Sequence, residues 1–114
     1  MKKTVLLFLL GCMLNVPICA QNITFADANV KALCVANWDT NGDGNLSEAE
    51  AAAVTSLGTV FKSNTQITSF DEFQYFTGLT NIPMDAFYSC TGLTSIIIPD
   101  NVSTIGLYAF YNCI

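Results

Sequence analysis

Two copies of one short motif decide how the chain folds: Ala86-Phe87-Tyr88-Ser89-Cys90 and Ala109-Phe110-Tyr111-Asn112-Cys113. Each residue of the second copy lies 23 positions after its counterpart in the first. The same offset relates further apolar pairs: Phe70 and Leu93, Phe73 and Ile96, Tyr75 and Ile98, Leu79 and Val102, Ile82 and Ile105. Because a match at this many positions is hard to obtain by chance, residues 70–113 are interpreted as two turns of a repeat, the first of them degenerate.

The period of the repeat predicts a solenoid. A period of 23 falls in the range of leucine-rich repeats, about 20–29, and Leu93-x-x-Ile96-x-Ile98 has the spacing of their strand. Each turn is therefore expected to contain one short parallel strand near residues 93–98, closed by Pro99. The residues expected to fill the interior on the return path are Val102, Ile105, Ala109 and Phe110.

A second internal similarity competes with this register. Residues 77–80 read Thr-Gly-Leu-Thr, and so do residues 91–94, which gives a shorter offset. That shorter offset aligns little else, so the period of 23 is preferred.

The cysteines are interpreted as structural. Beyond residue 20 the chain has Cys34, Cys90 and Cys113, an odd number that in an exported protein would suggest a free thiol or an intermolecular bond. The repeat offers another explanation, because Cys90 and Cys113 occupy the inward position where such repeats place Asn or Cys. Cys34 has no cationic neighbour in sequence and is expected to be a small core residue.

Before the repeat, residues 39–50 (DTNGDGNLSEAE) have the pattern of a calcium-binding loop. Ca²⁺ prefers six to eight oxygen ligands, and a loop of twelve residues supplies them from alternate positions and a bidentate carboxylate at position twelve. Gly44 stands at position six, where the backbone must turn sharply. The predicted ligands are Asp39, Asn41, Asp43, Asn45 through its backbone carbonyl, Ser47 directly or through water, and Glu50.

The flanking segments fit two helices around this loop. Asp27 can cap an entering helix with an apolar stripe that ends at Trp38. After the loop, alanines 49 and 51–53 favour an exit helix continued by Val54 and Leu57, until Gly58 ends it. A polar turn has a similar composition, and Ser47 with Glu50 is also a helix capping box, which is compatible with the metal site.

The amino-terminal segment, residues 1–20, predicts export. Lys2 and Lys3 precede an apolar run of about ten residues, shorter than the roughly 20 that a membrane span needs. Cleavage is expected after Ala20. The alternative is a lipoprotein whose acylated residue would be Cys12.

Charge and composition exclude some functions. After removal of residues 1–20, two lysines stand against nine carboxylates, a net charge of −7. This charge argues against nucleic acid or anionic membranes as partners and suits a divalent cation. An enzyme is not expected, because the chain has no histidine and its one adjacent carboxylate pair, Asp71 and Glu72, would point to opposite faces of a strand.

Residues 82–113, with Ile-x-x-x-Ala-Phe-x-x-Cys twice, resemble the leucine-rich repeats of BspA-like bacterial surface proteins. The resemblance implies an exported, non-enzymatic adhesin-like protein that binds host proteins or other cells through a longer solenoid. Some members carry one calcium loop before the repeats.

Dockerin modules are also similar, but they pair two loops and usually end them with Asp, whereas this loop ends at Glu50. Because the chain stops at Ile114, where another strand is due, we expect it to be a fragment.

The sequence thus predicts an α+β protein, an EF-hand-like helix-loop-helix followed by the first turns of a leucine-rich-repeat solenoid with short parallel strands. The expected divisions are residues 1–20 (signal), 21–62 (calcium-binding unit) and 63–114 (repeats). The expected function is a secreted or cell-surface interaction protein with a structural Ca²⁺; the alternative is a dockerin-like or sensor module that mediates assembly. Its partner, a protein or cell-surface ligand, would contact strand residues that point outward: Glu72, Gln74, Ser95 and Ile97.

Overall fold

The computed structural model describes residues 21–114, so the signal segment predicted over residues 1–20 lies outside the described residues. Two helices come first and short parallel strands follow, which gives a small α+β fold. The elements are α1 (Ala28–Trp38), α2 (Glu48–Ala52), β1 (Ser69–Phe70), a 3₁₀ helix (Asp71–Tyr75), β2 (Asn81–Ile82), β3 (Ser95–Ile96) and β4 (Thr104–Ile105). Among residues 21–114, neither helix has the length and apolar character needed to cross a membrane.

Helix α1 forms where the sequence predicts the entering helix. The side chain of Asp27 caps it by accepting a hydrogen bond of 2.8 Å from the backbone N–H of Asn29. Val30 and Cys34, one turn apart, are fully buried, and the helix ends where the loop begins at Asp39. One face of α1 is therefore part of the core.

Helix α2 is shorter than predicted. The sequence pattern extended it through Val54 and Leu57 to Gly58, but the α-helix ends at Ala52. The N–H of Val54 bonds to the carbonyl of Ala51 at 3.1 Å, a tighter turn, and Val54 and Leu57 are buried within the irregular segment that follows the helix. Val, Thr and Ser at positions 54–56 favour helix only weakly. The packing of Val54 and Leu57 therefore outweighs the helix propensity of the preceding alanines.

The strands form two separate parallel ladders, whereas the sequence predicted one strand position per turn. Strand β1 pairs with β3, and β2 pairs with β4, so each turn contributes a strand to both ladders. In the second ladder Asn81 is opposite Thr104 and Ile82 is opposite Ile105, which is the offset that the repeat predicted.

In the first ladder the predicted register is wrong. Ser69 pairs with Ser95 and Phe70 with Ile96, an offset three positions longer than the repeat period, so Phe70 does not correspond to Leu93. The segment between the two ladders is three residues longer in the first turn than in the second, because residues 71–75 form a 3₁₀ helix in the first turn. The correct register has a sequence signal: Ile67-Thr68-Ser69-Phe70 has the same polarity pattern as Leu93-Thr94-Ser95-Ile96.

The core is one continuous cluster that spans the helices and both turns of the repeat. Aromatic rings form its centre: Trp38 packs against Phe61 and Phe76, with ring centroids 6.2 and 5.5 Å away. Phe87 and Phe110, equivalent in the two turns, stack at 5.2 Å with an interplanar angle of 7°. Stacked rings of this kind stabilise neighbouring turns beyond the area that they bury.

The last strand is less buried than predicted. Ile105 was expected inside but is 57% exposed, whereas its counterpart Ile82 is fully buried. Ile82 is covered by the turn that carries Ile105, and no strand of the described residues covers Ile105 in the same way. Of the other predicted interior residues, Ala109 is buried, and Val102 and Phe110 are half-buried.

The repeated Thr-Gly-Leu-Thr tetrapeptide marks the same local turn twice, before β2 and before β3. A Cβ on Gly78 would collide with the backbone carbonyl of Ala52, and one on Gly92 would lie 3.0 Å from the carbonyl of Ile67. Gly78 therefore lets the chain pass close to the end of α2, and Gly92 lets it pass close to the segment before β1. The shorter offset, set aside in the sequence, reflects this second strand position within the repeat.

Candidate metal centre

The loop between the helices brings together the three carboxylates that the sequence assigned to the metal. Carboxylate oxygens of Asp39, Asp43 and Glu50 all lie within 4.8 Å of one another. Asp39 immediately follows α1, and Glu50 lies in the first turn of α2, so the two helices fix the ends of the cluster. The structure therefore gathers the charged members of the predicted ligand set at one point.

The backbone of the loop folds around Asp39. The Oδ1 atom of this residue accepts a hydrogen bond from the N–H of Gly42 at 3.0 Å, and Oδ2 accepts one from the N–H of Gly44 at 2.9 Å. Gly44 has φ +81°, a left-handed conformation that glycine adopts without a steric penalty. This is the turn predicted at position six of the loop.

Glu50 closes the loop at its other end. Its Oε1 atom accepts a hydrogen bond from the N–H of Ser47 at 2.9 Å, and Oε2 accepts bonds from the Thr40 hydroxyl and the Asn41 N–H, both at 3.2 Å. Partial burial alone would raise the pKa of Glu50, but the bonds from Ser47 and Asn41 outweigh it and lower that pKa. Glu50 is therefore held as a carboxylate, the form that binds a cation.

The remaining predicted ligands lie in the same loop and make local hydrogen bonds. The side-chain oxygen of Asn41 accepts from the N–H of Asp43 at 3.1 Å, and Ser47 Oγ accepts from the N–H of Glu50 at 3.0 Å. The Ser47 and Glu50 bonds together form the predicted capping box at the start of α2. The Asn45 side chain accepts from Lys31 Nζ at 3.1 Å, which leaves the backbone carbonyl of Asn45 for the role predicted for it.

Within residues 21–114, no lysine forms an ion pair with the carboxylate cluster. The one ion pair of that range joins Lys62 to Asp85 at 3.2 Å, far along the chain from the loop. Three carboxylates at this separation repel one another, and a divalent cation would relieve that repulsion. The donor set consists of carboxylate, amide, hydroxyl and backbone oxygens, which fits a hard ion such as Ca²⁺ and not a metal that prefers sulfur or imidazole.

Sequence reasoning missed an isolated β-bridge between the loop and the extended residues Gln21–Ile23, which are called the lead strand here. Asn22 and Ser47 form an antiparallel bridge, in which the N–H of Ile23 donates to Leu46 O and the N–H of Glu48 donates to Gln21 O, each at 2.9 Å. Ile23 and Leu46 are both buried. The available signal was the apolar residue Ile23, which faces Leu46 at position eight of the loop.

The predicted binding face is only partly outward. Gln74, Ser95 and Ile97 are exposed, as predicted, but Glu72 is about nine-tenths buried. Because residues 71–75 form a 3₁₀ helix, the alternation of a strand does not apply, and Glu72 Oε2 accepts a bond from the N–H of Ala26 at 3.3 Å. Glu72 therefore belongs to the interior, where it joins the repeat to the segment before α1.

The cysteines that the sequence placed inside are free thiols. Cys34 and Cys90 are fully buried and Cys113 is half-buried. The thiols of Cys90 and Cys113 donate to the carbonyls of Phe61 and Phe87, each at 3.0 Å. In these two positions the thiol thus serves as a hydrogen-bond donor to an earlier part of the chain.

The family is established by a match over the second part of the chain. The family model described as BspA type leucine rich repeat region (6 copies) matches residues 53–114, more than half of the chain. The comparisons with curated proteins and with solved structures gave no match. The matched span contains both turns of the repeat, with the stacked rings and the two thiols described above. The chain therefore belongs to the BspA type leucine-rich-repeat family.

Proposed function

We propose that this chain is an exported, non-enzymatic protein-interaction protein whose helix-loop-helix binds a structural Ca²⁺ and holds the start of the repeat solenoid. Family membership indicates a role in protein interaction at surfaces. The calcium assignment rests on one observation above all, the convergence of Asp39, Asp43 and Glu50 at the loop positions where calcium ligands are required. Export rests on the predicted signal segment.

The proposed ligands are the six predicted residues, with Glu50 binding through both oxygens. In the calcium-bound state, Glu50 and Asp39 would exchange some of their hydrogen bonds to the loop backbone for bonds to the ion. Extracellular calcium modules have dissociation constants of about 10⁻⁴–10⁻³ M. The site would then be largely filled at millimolar Ca²⁺ and would act as a constant clamp.

The contacts of α1 explain how such a clamp would act on the repeat. Asp27, at the start of α1, also accepts a hydrogen bond from the N–H of Thr68 at 2.6 Å, directly before β1. At the other end of the helix, Trp38 packs against Phe61 and Phe76. The two proposed units, residues 21–62 and 63–114, therefore share one core. A loop ordered by calcium would stabilise the repeat through these contacts of α1.

The proposed binding face is the exposed edge around β3. Ser95 and Ile97 are exposed there, Gln74 lies on the preceding turn, and the hydroxyl of Ser95 donates to Asp71 Oδ1. A polar surface with one exposed apolar side chain fits a protein partner and offers no excess of positive charge for nucleic acid.

The alternative, a dockerin-like or sensor module, is less well supported. Such modules work through a second calcium loop or an exposed apolar groove. Here the edge of the loop at Leu46 is already bonded to Ile23, and the apolar faces of both helices are packed against the repeat. This edge is not free to pair with another loop.

Calorimetric titration of the chain from Gln21 to Ile114 with Ca²⁺ tests the proposal. We expect binding at one site, lost or weakened at least tenfold by Glu50→Gln, because that change removes a charged bidentate ligand. Glutamine can still close the capping box, so helix α2 is retained. The matched control is Glu48→Gln, which removes the same charge two residues away and should leave the affinity within about twofold. Absence of binding, or equal effects of the two substitutions, would refute the calcium site.

A further inference from the structure

The lead strand is bonded to the loop on both sides of one proposed ligand. Its two hydrogen bonds, from Ile23 N–H to Leu46 O and from Glu48 N–H to Gln21 O, are both 2.9 Å long and flank Ser47. The side chains of Ile23 and Leu46 are 6% and 0% exposed, so the strand is anchored in the core. The backbone of Ser47 is thereby held from either side.

The position of Ser47 in turn determines that of Glu50. The N–H of Ser47 donates to Glu50 Oε1 at 2.9 Å, and Ser47 Oγ accepts from the N–H of Glu50 at 3.0 Å. A displacement of the Ser47 backbone would break this reciprocal pair. The lead strand therefore acts on two members of the proposed ligand set through one short contact, although none of its residues was predicted to bind the ion.

We propose that the lead strand Gln21–Ile23 is a positioning element that sets the affinity of the calcium site; this inference rests on the proposed function. The predicted cleavage after Ala20 leaves the strand complete from its first residue. Trimming of two more residues removes the acceptor at Gln21 and weakens calcium binding.

The test compares two chains that begin at Gln21 and at Ile23, titrated with Ca²⁺ in a calorimeter. Gln21 and Asn22 are exposed, so their removal leaves the core intact. Both chains carry an acetylated N-terminus, which removes the difference in terminal charge and keeps an amide at Ile23. Loss of one backbone hydrogen bond at the loop is expected to raise the dissociation constant about five- to tenfold. Asn22→Ala in the longer chain is the control and should leave it unchanged.

The melting temperature in chelator separates positioning from simple stabilisation. A purely structural strand would lower that temperature and leave the dissociation constant unchanged. Equal affinities of the two chains would overturn this inference and leave the calcium site in place. If the chain from Gln21 binds no Ca²⁺, the proposed function fails, and this inference fails with it.

Discussion

One buried carboxylate, Asp27, which is 8% exposed, connects the helix-loop-helix to the repeat. Its Oδ1 atom caps α1 through Asn29. Its Oδ2 atom accepts bonds from the backbone N–H of Thr68 at 2.6 Å, the Thr68 hydroxyl at 3.1 Å and the N–H of Ser69 at 3.4 Å. One side chain thus fixes both the start of the first helix and the start of β1.

Replacement of Asp27 by alanine should therefore cost more than loss of a helix cap. The cap itself contributes about 1 kcal/mol. The N–H groups of Thr68 and Ser69 lose a charged acceptor as well, and an unsatisfied donor costs about 1–3 kcal/mol where it is shielded from water. We expect a total loss of about 2–4 kcal/mol in the free energy of unfolding, a large share of the roughly 5–15 kcal/mol of an ordinary domain.

Urea unfolding followed by fluorescence of Trp38 measures this loss, because Trp38 lies in the shared core. The control is Asp100→Ala, at an exposed turn, which should change stability by no more than about 0.5 kcal/mol. If Asp27→Ala costs as little as the control, the junction does not hold the two parts together as described.

The same carboxylate predicts a pH dependence. Burial would raise the pKa of Asp27, but hydrogen bonds from Thr68, Asn29 and Ser69 outweigh it and hold that pKa below 3.8. A carboxyl with a lower pKa in the folded than in the unfolded chain stabilises the fold above the unfolded pKa, near 4, and loses this effect as the pH falls through the folded pKa. The difference in stability between the native chain and Asp27→Ala should therefore be constant above about pH 5 and shrink below about pH 4.

Two further predictions concern the packing of the repeat. Gly78→Ala should destabilise the chain by about 1–3 kcal/mol in urea unfolding, because the added Cβ meets the carbonyl of Ala52; a neutral result would contradict the close turn. Cys34 and Cys90 should resist alkylation at about pH 8 while half-buried Cys113 reacts first, because burial raises the pKa of Cys34 to about 12 and of Cys90 to about 11. Peptide mapping by mass spectrometry checks the order, and labelling of Cys90 as fast as Cys113 would contradict the inward position.

The parts of the fold that the sequence predicted correctly depend on chemistry confined to a few neighbouring residues. The left-handed turn at Gly44 and the cap of α1 at Asp27 each follow from one residue type in one local setting, whereas the burial of Cys90 follows from its position in the repeat. The predicted repeat offset is likewise correct for β2 and β4.

The register of the first ladder could not be read from periodicity alone. A repeat alignment assumes equal length in every turn, and the 3₁₀ helix over residues 71–75 changes the spacing by three positions. Strand alternation, which does not apply to this 3₁₀ helix, placed Glu72 on the outer face, whereas it lies inside next to Ala26. The length of α2 was overestimated for a related reason, since alanine favours helix locally while burial of Val54 is decided by distant parts of the chain.

At the candidate site, the sequence predicted which carboxylates come together, and their binding of a metal stays a prediction. Loop spacing identified Asp39, Asp43 and Glu50, which the structure brings together. The lead strand and the bond from Lys31 to Asn45 involve residues outside the loop, so no local motif contains them.

If Ca²⁺ binds at the loop as proposed, it should stabilise the whole chain through the shared core. The most direct test is the thermal unfolding of the chain, followed by Trp38 fluorescence, in chelator and at ten times the calcium dissociation constant. Linkage predicts about 1.4 kcal/mol of added stability at that concentration, equivalent to a rise of roughly 5–10 °C in melting temperature. Glu50→Gln should abolish most of the rise and Glu48→Gln should retain it. A melting temperature that calcium leaves unchanged, or that rises equally in both variants, would refute stabilisation of the fold by calcium at the loop.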